Sequence, residues 1–260
     1  VRIALVDSGI GMLSTAAAVH AARPDADLFL SMDPDHMPWG ARTPDEVIGR
    51  ALAGARAAWE AAGGVDAVVV PCNTASVHGL SRLREEFEPA VPVIGTVPAI
   101  KPAARSGGPI AVWSTAATTR SGYQRRLVDT FAEGLEVTAV ACVGLAEAVE
   151  SADPLEVADA VSYAAGLTPP DVRAVVLGCT HYDLVGEQIV AGLGEGVALH
   201  TAAHAVAAQT LRRVGDLPHQ GRPGRVRVLA SGRPAELPTA ALTYPAGRAL
   251  MALESTARPL

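Results

Sequence analysis

Short β-branched apolar runs alternate with longer Ala-rich stretches along the whole chain, and each switch between the two periods marks a change of element. Strands are predicted at residues 3–6, 27–31, 65–70, 91–94, 110–113, 135–139, 172–177, 197–200 and 226–230. The helical stretches between them fall at the spacing of βαβ units, which predicts an α/β fold with mostly parallel sheets flanked by helices. One helix start is explicit. Thr43 as N-cap, Pro44 at the first position and Glu46 at the third form a capping box, and Gly63-Gly64 end the stretch that follows. Residues 33–42 are therefore a loop at the carboxyl end of a strand.

Two segments say nearly the same thing. Val65-Asp66-Ala67-Val68-Val69-Val70-Pro71-Cys72-Asn73-Thr74 returns as Val172-Arg173-Ala174-Val175-Val176-Leu177-Gly178-Cys179-Thr180-His181. Each is an apolar run of the kind buried on both faces of a parallel sheet, and each ends in a cysteine where such sheets place their ligand crevice. The repeat predicts two similar α/β lobes whose matched thiols face one cleft. Residues 1–96 and 207–260 form the lobe with Asp7 and Cys72, and residues 97–206 form the lobe with Cys179 and His181; the chain crosses at 92–102 and again near 202–207. Matched thiols facing one cleft suggest proton chemistry from two sides. A strand-end cysteine that opens a helix lies near backbone N–H groups and the positive end of the helix dipole, both of which favour thiolate. Thr180 and Asp183 have capping-box spacing. Cys142, after Val140-Ala141, fits a small buried hydrophobe instead.

Composition narrows the classes of partner. The hydrophobic share of 49% is enough for one sizeable core or two modest ones, and a formal charge of −6 without a basic cluster disfavours nucleic acid and anionic membranes. A small ligand fits better. The opening run reaches Asp7 too soon for a signal peptide and no apolar run has membrane-spanning length, so a cytoplasmic protein is expected. Three cysteines, none in CxxC spacing, predict reduced thiols and no metal site. The loop from Asp7 to Ser14 follows a strand as a dinucleotide-binding turn would, and Asp33 lies at the distance of a ribose-binding acid. Only two of the three glycines are present, and the Asp7 carboxylate would oppose a pyrophosphate, so a nicotinamide or flavin cofactor is disfavoured. Asp7 is alternatively a helix-capping acid.

Taken together, Asp7-Ser8-Gly9-Ile10-Gly11, Pro38-Trp39-Gly40, Cys72-Asn73-Thr74-Ala75-Ser76, the stretch from Thr115 to Tyr123 and Gly178-Cys179-Thr180-His181-Tyr182 resemble the glutamate racemases of the cofactor-independent Asp/Glu racemase superfamily. The resemblance runs in order over almost the whole chain. It implies two pseudo-symmetric lobes with the active site in the cleft between them and a two-base mechanism with no cofactor, in which Cys72 and Cys179 act on opposite faces of the substrate Cα and exchange roles with the direction of reaction. Asp7 would assist Cys72, His181 would assist Cys179, and Glu150 matches an acid near the second thiol, with Glu147 an alternative for that place. Ser8, Pro38, Trp39, Gly40, Asn73, Thr74, Thr115, Thr118 and Thr180 match positions that hold the ammonium and carboxylates of an acidic amino acid. A homodimer and D-glutamate production for peptidoglycan are further implications.

Elementary chemistry points the same way. A thiol of ordinary acidity is only a few per cent ionised at neutral pH, so each base needs a neighbour that favours its charged form. Both cysteines have candidates beside them. Pyridoxal phosphate would need a Schiff-base lysine, whereas the single lysine, Lys101, lies in a Pro-flanked segment suited to a solvated charge. Trp39 stands where the family usually has tyrosine, which keeps an aromatic wall but offers only a donor. The departures around Thr115 and Glu150 leave room for a racemase of aspartate or another amino acid. A two-lobed amino-acid-binding protein without chemistry is the rival from a different class.

Overall fold

The computed structural model describes residues 1–194 and 196–256, the last four of these by their backbone. The chain divides into two compact units, Val1–Thr96 with Ala203–Leu260 and Val97–Ala202. The return crossing thus falls about one helical turn before the expected boundary at 206/207, because the helix Ala203–Val214 starts there and packs on the helix Leu13–Ala22 of the first unit.

In the first unit, β1 (Arg2–Val6), β2 (Asp27–Met32), β3 (Ala67–Val70) and β4 (Val93–Gly95) are parallel. The second unit holds β5 (Ile110–Ser114), β6 (Val137–Ala141), β7 (Ala174–Leu177) and β8 (Ala198–His200), also parallel. After the return, β9 (Val226–Ala230) adds in parallel to β2, and β10 (Arg233–Ala235) folds back antiparallel on β9. The sheet orders are β10-β9-β2-β1-β3-β4 and β6-β5-β7-β8. Removing the β9–β10 hairpin leaves the same winding in both: the first strand central, the second on one side, the third and fourth on the other. The cysteine repeat is therefore a repeat of topology, with β3 and β7 in equivalent places.

Burial explains why these runs are strands. Every residue of β3 and of β7 is buried, as continuous β-branched runs require when both faces of a parallel sheet are covered. On the first sheet Ala4, Val6, Val68 and Val70 pack with Val47, Ala51, Ala55 and Ala58 from the helix Pro44–Ala62. On the second, Ile110, Val112, Ala174 and Val176 pack with Ile100 and Ala103 from the helix Ile100–Arg105. Alanine on the helical side lets each helix lie close to its sheet. The capping box of Thr43 and Glu46 is present, and Gly63 closes that helix in the left-handed conformation (φ 63°).

One local expectation fails. Cys179 remains extended (φ −139°, ψ 134°) and takes the N-cap position, so Thr180 opens the 3₁₀ turn Thr180–Val185 and forms no capping box with Asp183. Gly9 is the N-cap of the turn Ile10–Met12, and the Asp7 carboxylate accepts the N–H of its own neighbour Ser8 at 2.6 Å.

Glycine tests the packing at two contrasting places. Gly224 enters β9 so close to the preceding strand connection that a Cβ would stand 2.0 Å from the carbonyl oxygen of Ala26. Gly49, inside the helix Pro44–Ala62, has open space around its missing Cβ. Chemical denaturation should show Gly224→Ala destabilised by at least about 2 kcal/mol. Gly49→Ala should gain about 0.5–1 kcal/mol from helix propensity alone. In the second unit, burial pushes the Asp183 carboxyl up to about 7. The folded state then holds a proton that the unfolded chain releases at lower pH, so this group's contribution to stability falls as pH rises from about 4 through 7. Asp183→Asn should be increasingly more stable than the parent across that range, by at most about 4 kcal/mol at pH 8, as measured by denaturation at stepped pH.

Candidate active site

In a doubly wound sheet the crevice for a ligand opens where neighbouring connections leave in opposite directions. That point lies between β1 and β3 in the first unit and between β5 and β7 in the second. Asp7 and Ser8 follow β1, and Cys72 to Thr74 follow β3. Thr115 follows β5, and Cys179 to His181 follow β7. Each unit thus carries one half of the expected set at its own switch point.

In the first half, Cys72 is the N-cap of the helix Asn73–His78, and its side chain is buried. Its position is fixed from below by Ser76, whose hydroxyl donates to the carbonyl of Val70 at 2.9 Å and accepts the Thr96 N–H at 3.0 Å, tying the ends of β3 and β4. Asn73 is buried, and its Oδ1 has no hydrogen-bond partner. A buried amide oxygen left unsatisfied is a ready acceptor for a ligand N–H. Ser8 is buried and its carbonyl accepts the Asp33 N–H at 3.2 Å. Thr74 and the backbone of Pro38 and Gly40 are partly accessible.

Trp39 differs from its expected use. Its ring is 1% exposed and packs in the core of the first unit, and its indole N–H donates to Asp33 Oδ2 at 3.1 Å. The donor that would face a substrate is already engaged within the protein. Asp33, weighed above as a ribose acid, is instead a structural hub: burial opposes its charge, but hydrogen bonds from Ser231, His36 and Trp39 hold its carboxyl below the usual range.

In the second half, Cys179 Sγ lies 3.8 Å from His181 Nδ1, and His181 Nε2 lies 2.8 Å from Glu150 Oε2. Of the two acids left open by the sequence, Glu150 is the one that reaches the histidine, while Glu147 is exposed. His181 is 4% exposed. Burial opposes its charge, yet the hydrogen bonds to Cys179 and Glu150 outweigh this and raise its pKa well above the ordinary value. The imidazole is held protonated beside the sulfur. Cys142 has the opposite surroundings: burial, then the nearby Cys179, pushes its thiol far up, so it stays neutral.

The loops around this half are braced from within. Thr115 caps the short helix Ala116–Thr119 by accepting the Thr118 N–H at 3.4 Å, and the two threonine hydroxyls are 3.0 Å apart. Ser114, fully buried, donates to Gln124 Oε1 at 2.6 Å. A Cβ on Gly178 would stand 2.4 Å from that same Ser114 oxygen, so glycine alone fits before Cys179. Ser114, Gln124, Asp33 and Ser231 were all missed as site-bracing residues; the Ser231-Gly232 dipeptide after an apolar run was the one readable signal.

Lys101 is exposed, with its Nζ 5.8 Å from the centre of the Phe131 ring. Among the described residues, no cluster of three or more His, Cys, Asp or Glu side chains could hold a metal ion. No described helix is long and apolar enough to cross a membrane.

Comparison with known proteins places this geometry. The chain is 40% identical over 210 residues to a glutamate racemase of Roseiflexus sp., covering 79% of this chain and 76% of that one. It is 35% identical over 241 residues to a glutamate racemase of Herpetosiphon aurantiacus, covering 90% and 93%. The fold is similar to the crystal structure of Escherichia coli glutamate racemase in complex with L-glutamate and the activator UDP-MurNAc-Ala, with a TM-score of 0.80, 27% identity and coverage of 98% and 94%. Residues 8–210 match the family model described as Asp/Glu/Hydantoin racemase, a span that takes in both cysteine segments, and by that match the chain belongs to this racemase family.

Proposed function

We propose that this protein is a glutamate racemase that interconverts L- and D-glutamate by proton transfer at Cα with Cys72 and Cys179 as the two bases and no cofactor. The observation that carries the reading is the equivalent placement of these two cysteines after β3 and β7, at the switch points of two sheets wound alike. A racemase must serve mirror-related substrates, and one base of each hand is the economical solution. In one direction the thiolate of one cysteine takes the Cα proton and becomes a thiol, while the thiol of the other gives its proton to the opposite face and becomes a thiolate. The reverse reaction exchanges the roles.

The other residues have parts in keeping with their surroundings. Protonated His181, backed by Glu150, supplies charge complementary to a thiolate at Cys179. Asp7 assists at Cys72. The proton at Cα is acidified only by an adjacent carboxylate, so the charge that builds there must meet preorganised donors away from water. Ser8, Thr74, Thr115, Thr118 and Thr180, with the loop backbone at Pro38 and Gly40, are assigned that task together with the side-chain carboxylate of the substrate. The orphaned Asn73 Oδ1 suits the ammonium. The enzyme works in the cytoplasm as a homodimer, and its D-glutamate supplies peptidoglycan synthesis.

Incubation with L-glutamate in deuterated water should yield D-glutamate carrying deuterium at Cα. Cys72→Ala and Cys179→Ala should each lower racemisation by at least about 10³-fold, in line with loss of an essential proton-transfer group. Binding of glutamate without exchange would favour the non-catalytic binder, and racemisation surviving in either variant would refute the two-cysteine assignment. A panel of amino acids in the same assay separates glutamate from aspartate and others. Glu150→Gln removes the carboxylate that holds the His181 proton. The alkaline limb of kcat/KM should then move to lower pH by about one unit or more, because imidazolium is lost earlier as pH rises. An unshifted limb would remove His181 from the proton chemistry.

A further inference from the structure

The β9–β10 hairpin reaches the loop that carries Trp39. Its two turn residues, Ser231 (φ 47°) and Gly232 (φ 80°), are both left-handed. Such turns favour asparagine or glycine at the first position, where a serine is strained. Strain of this kind persists where the side chain has work that offsets it. The Ser231 hydroxyl donates to Asp33 Oδ1 at 2.7 Å and accepts the Asp35 N–H at 3.2 Å. A second tie joins Arg233 and Asp35 at 2.7 Å.

Asp33 passes this hold onward. Its Oδ2 accepts the Trp39 indole N–H, its Oδ1 also faces His36 Nδ1 at 2.9 Å, and its backbone N–H donates to the Ser8 carbonyl. On the side of the helix Pro44–Ala62, a cavity of about 70 Å³ lies against Trp39, bounded by Ser31, Arg50, Gly54 and Ser231. The indole N–H bond to Asp33 adds an orientation that packing contacts, which have no direction, do not supply.

We infer that Ser231 is a positioning residue for the Pro38-Trp39-Gly40 loop, acting through the Asp33 carboxylate. The inference rests on the reading of that loop as part of the substrate site. It assigns to a hairpin distant in sequence the task of aligning a loop that holds no reacting group.

Ser231→Gly separates the two roles of this side chain, because glycine keeps the turn and loses the hydroxyl. In the full-length protein its denaturation midpoint should equal or exceed that of the parent. KM for L-glutamate should rise about tenfold with kcat changed less than about twofold, as expected for loss of a hydrogen bond that aligns binding groups. Ser231→Asn, which accepts the left-handed conformation and retains a donor, should restore most of the KM. A readout independent of turnover is the Trp39 indole N–H resonance. The protein has three tryptophans, and the other two signals are assigned by Trp59→Phe and by Thr168→Val, since Trp113 donates to Thr168. In Ser231→Gly the Trp39 N–H should exchange with deuterium at least about tenfold faster. Parental KM and parental exchange in Ser231→Gly would overturn the inference. Faster exchange in a protein that does not racemise glutamate would uphold the positioning role and discard the proposed substrate.

Discussion

A parallel strand covered on both faces presents no side chain to solvent along its length, so any chemistry it supports must stand at the residue where it stops. β3 and β7 obey this strictly, and the residues that follow them are Pro71-Cys72 and Gly178-Cys179. The requirement explains why so much of each unit is alanine and valine: close helices seal the strand faces, and the sealed strands make rigid posts. A thiol at the top of such a post has little freedom to wander. For a reaction that must treat two mirror images evenly, that rigidity matters more than the reactivity of either group alone.

The two posts are alike in topology and unlike in surroundings. Cys179 stands next to a histidine whose far nitrogen meets Glu150, whereas Cys72 lies in a loop cluster whose buried acid, Asp7, comes from the adjoining strand. Equilibrium between enantiomers is unity, so kcat/KM must be the same from either side whatever the surroundings. The asymmetry can therefore be expressed only in the separate constants and in which proton transfer is slower. Cys142 shows what the fold does with a thiol that lacks polar neighbours of this kind: burial keeps it neutral and inert.

Much of this was legible in the chain because the signals were local. The β-branched runs ended where strands end, and the capping box at Thr43 set one helix start to the residue. The strand at 135–139 is displaced to Val137–Ala141 because Leu135 is held in a turn, its N–H bonded to the Ala132 carbonyl. Thr180 and Asp183 had the spacing of a cap, but the strand geometry continued through Cys179 and took that place. Glu147 and Glu150 could not be separated by spacing, since the choice depends on which of them the helix Leu145–Ser151 turns toward a histidine about thirty residues away. β10 was hidden by its shortness and by Pro234, a residue that suits only an edge. Asp33 could be noticed but not interpreted, because its partner Ser231 lies 198 residues away in the chain.

The hairpin also orders events in time. Ser231 belongs to a segment made after every strand of Val97–Ala202, yet it braces a loop made before them. As the chain leaves the ribosome, the earlier loop lacks its brace until the hairpin has emerged. A nascent polypeptide with both cysteine segments already made would still lack the Ser231–Asp33 hydrogen bond, so this brace is acquired only after both thiols.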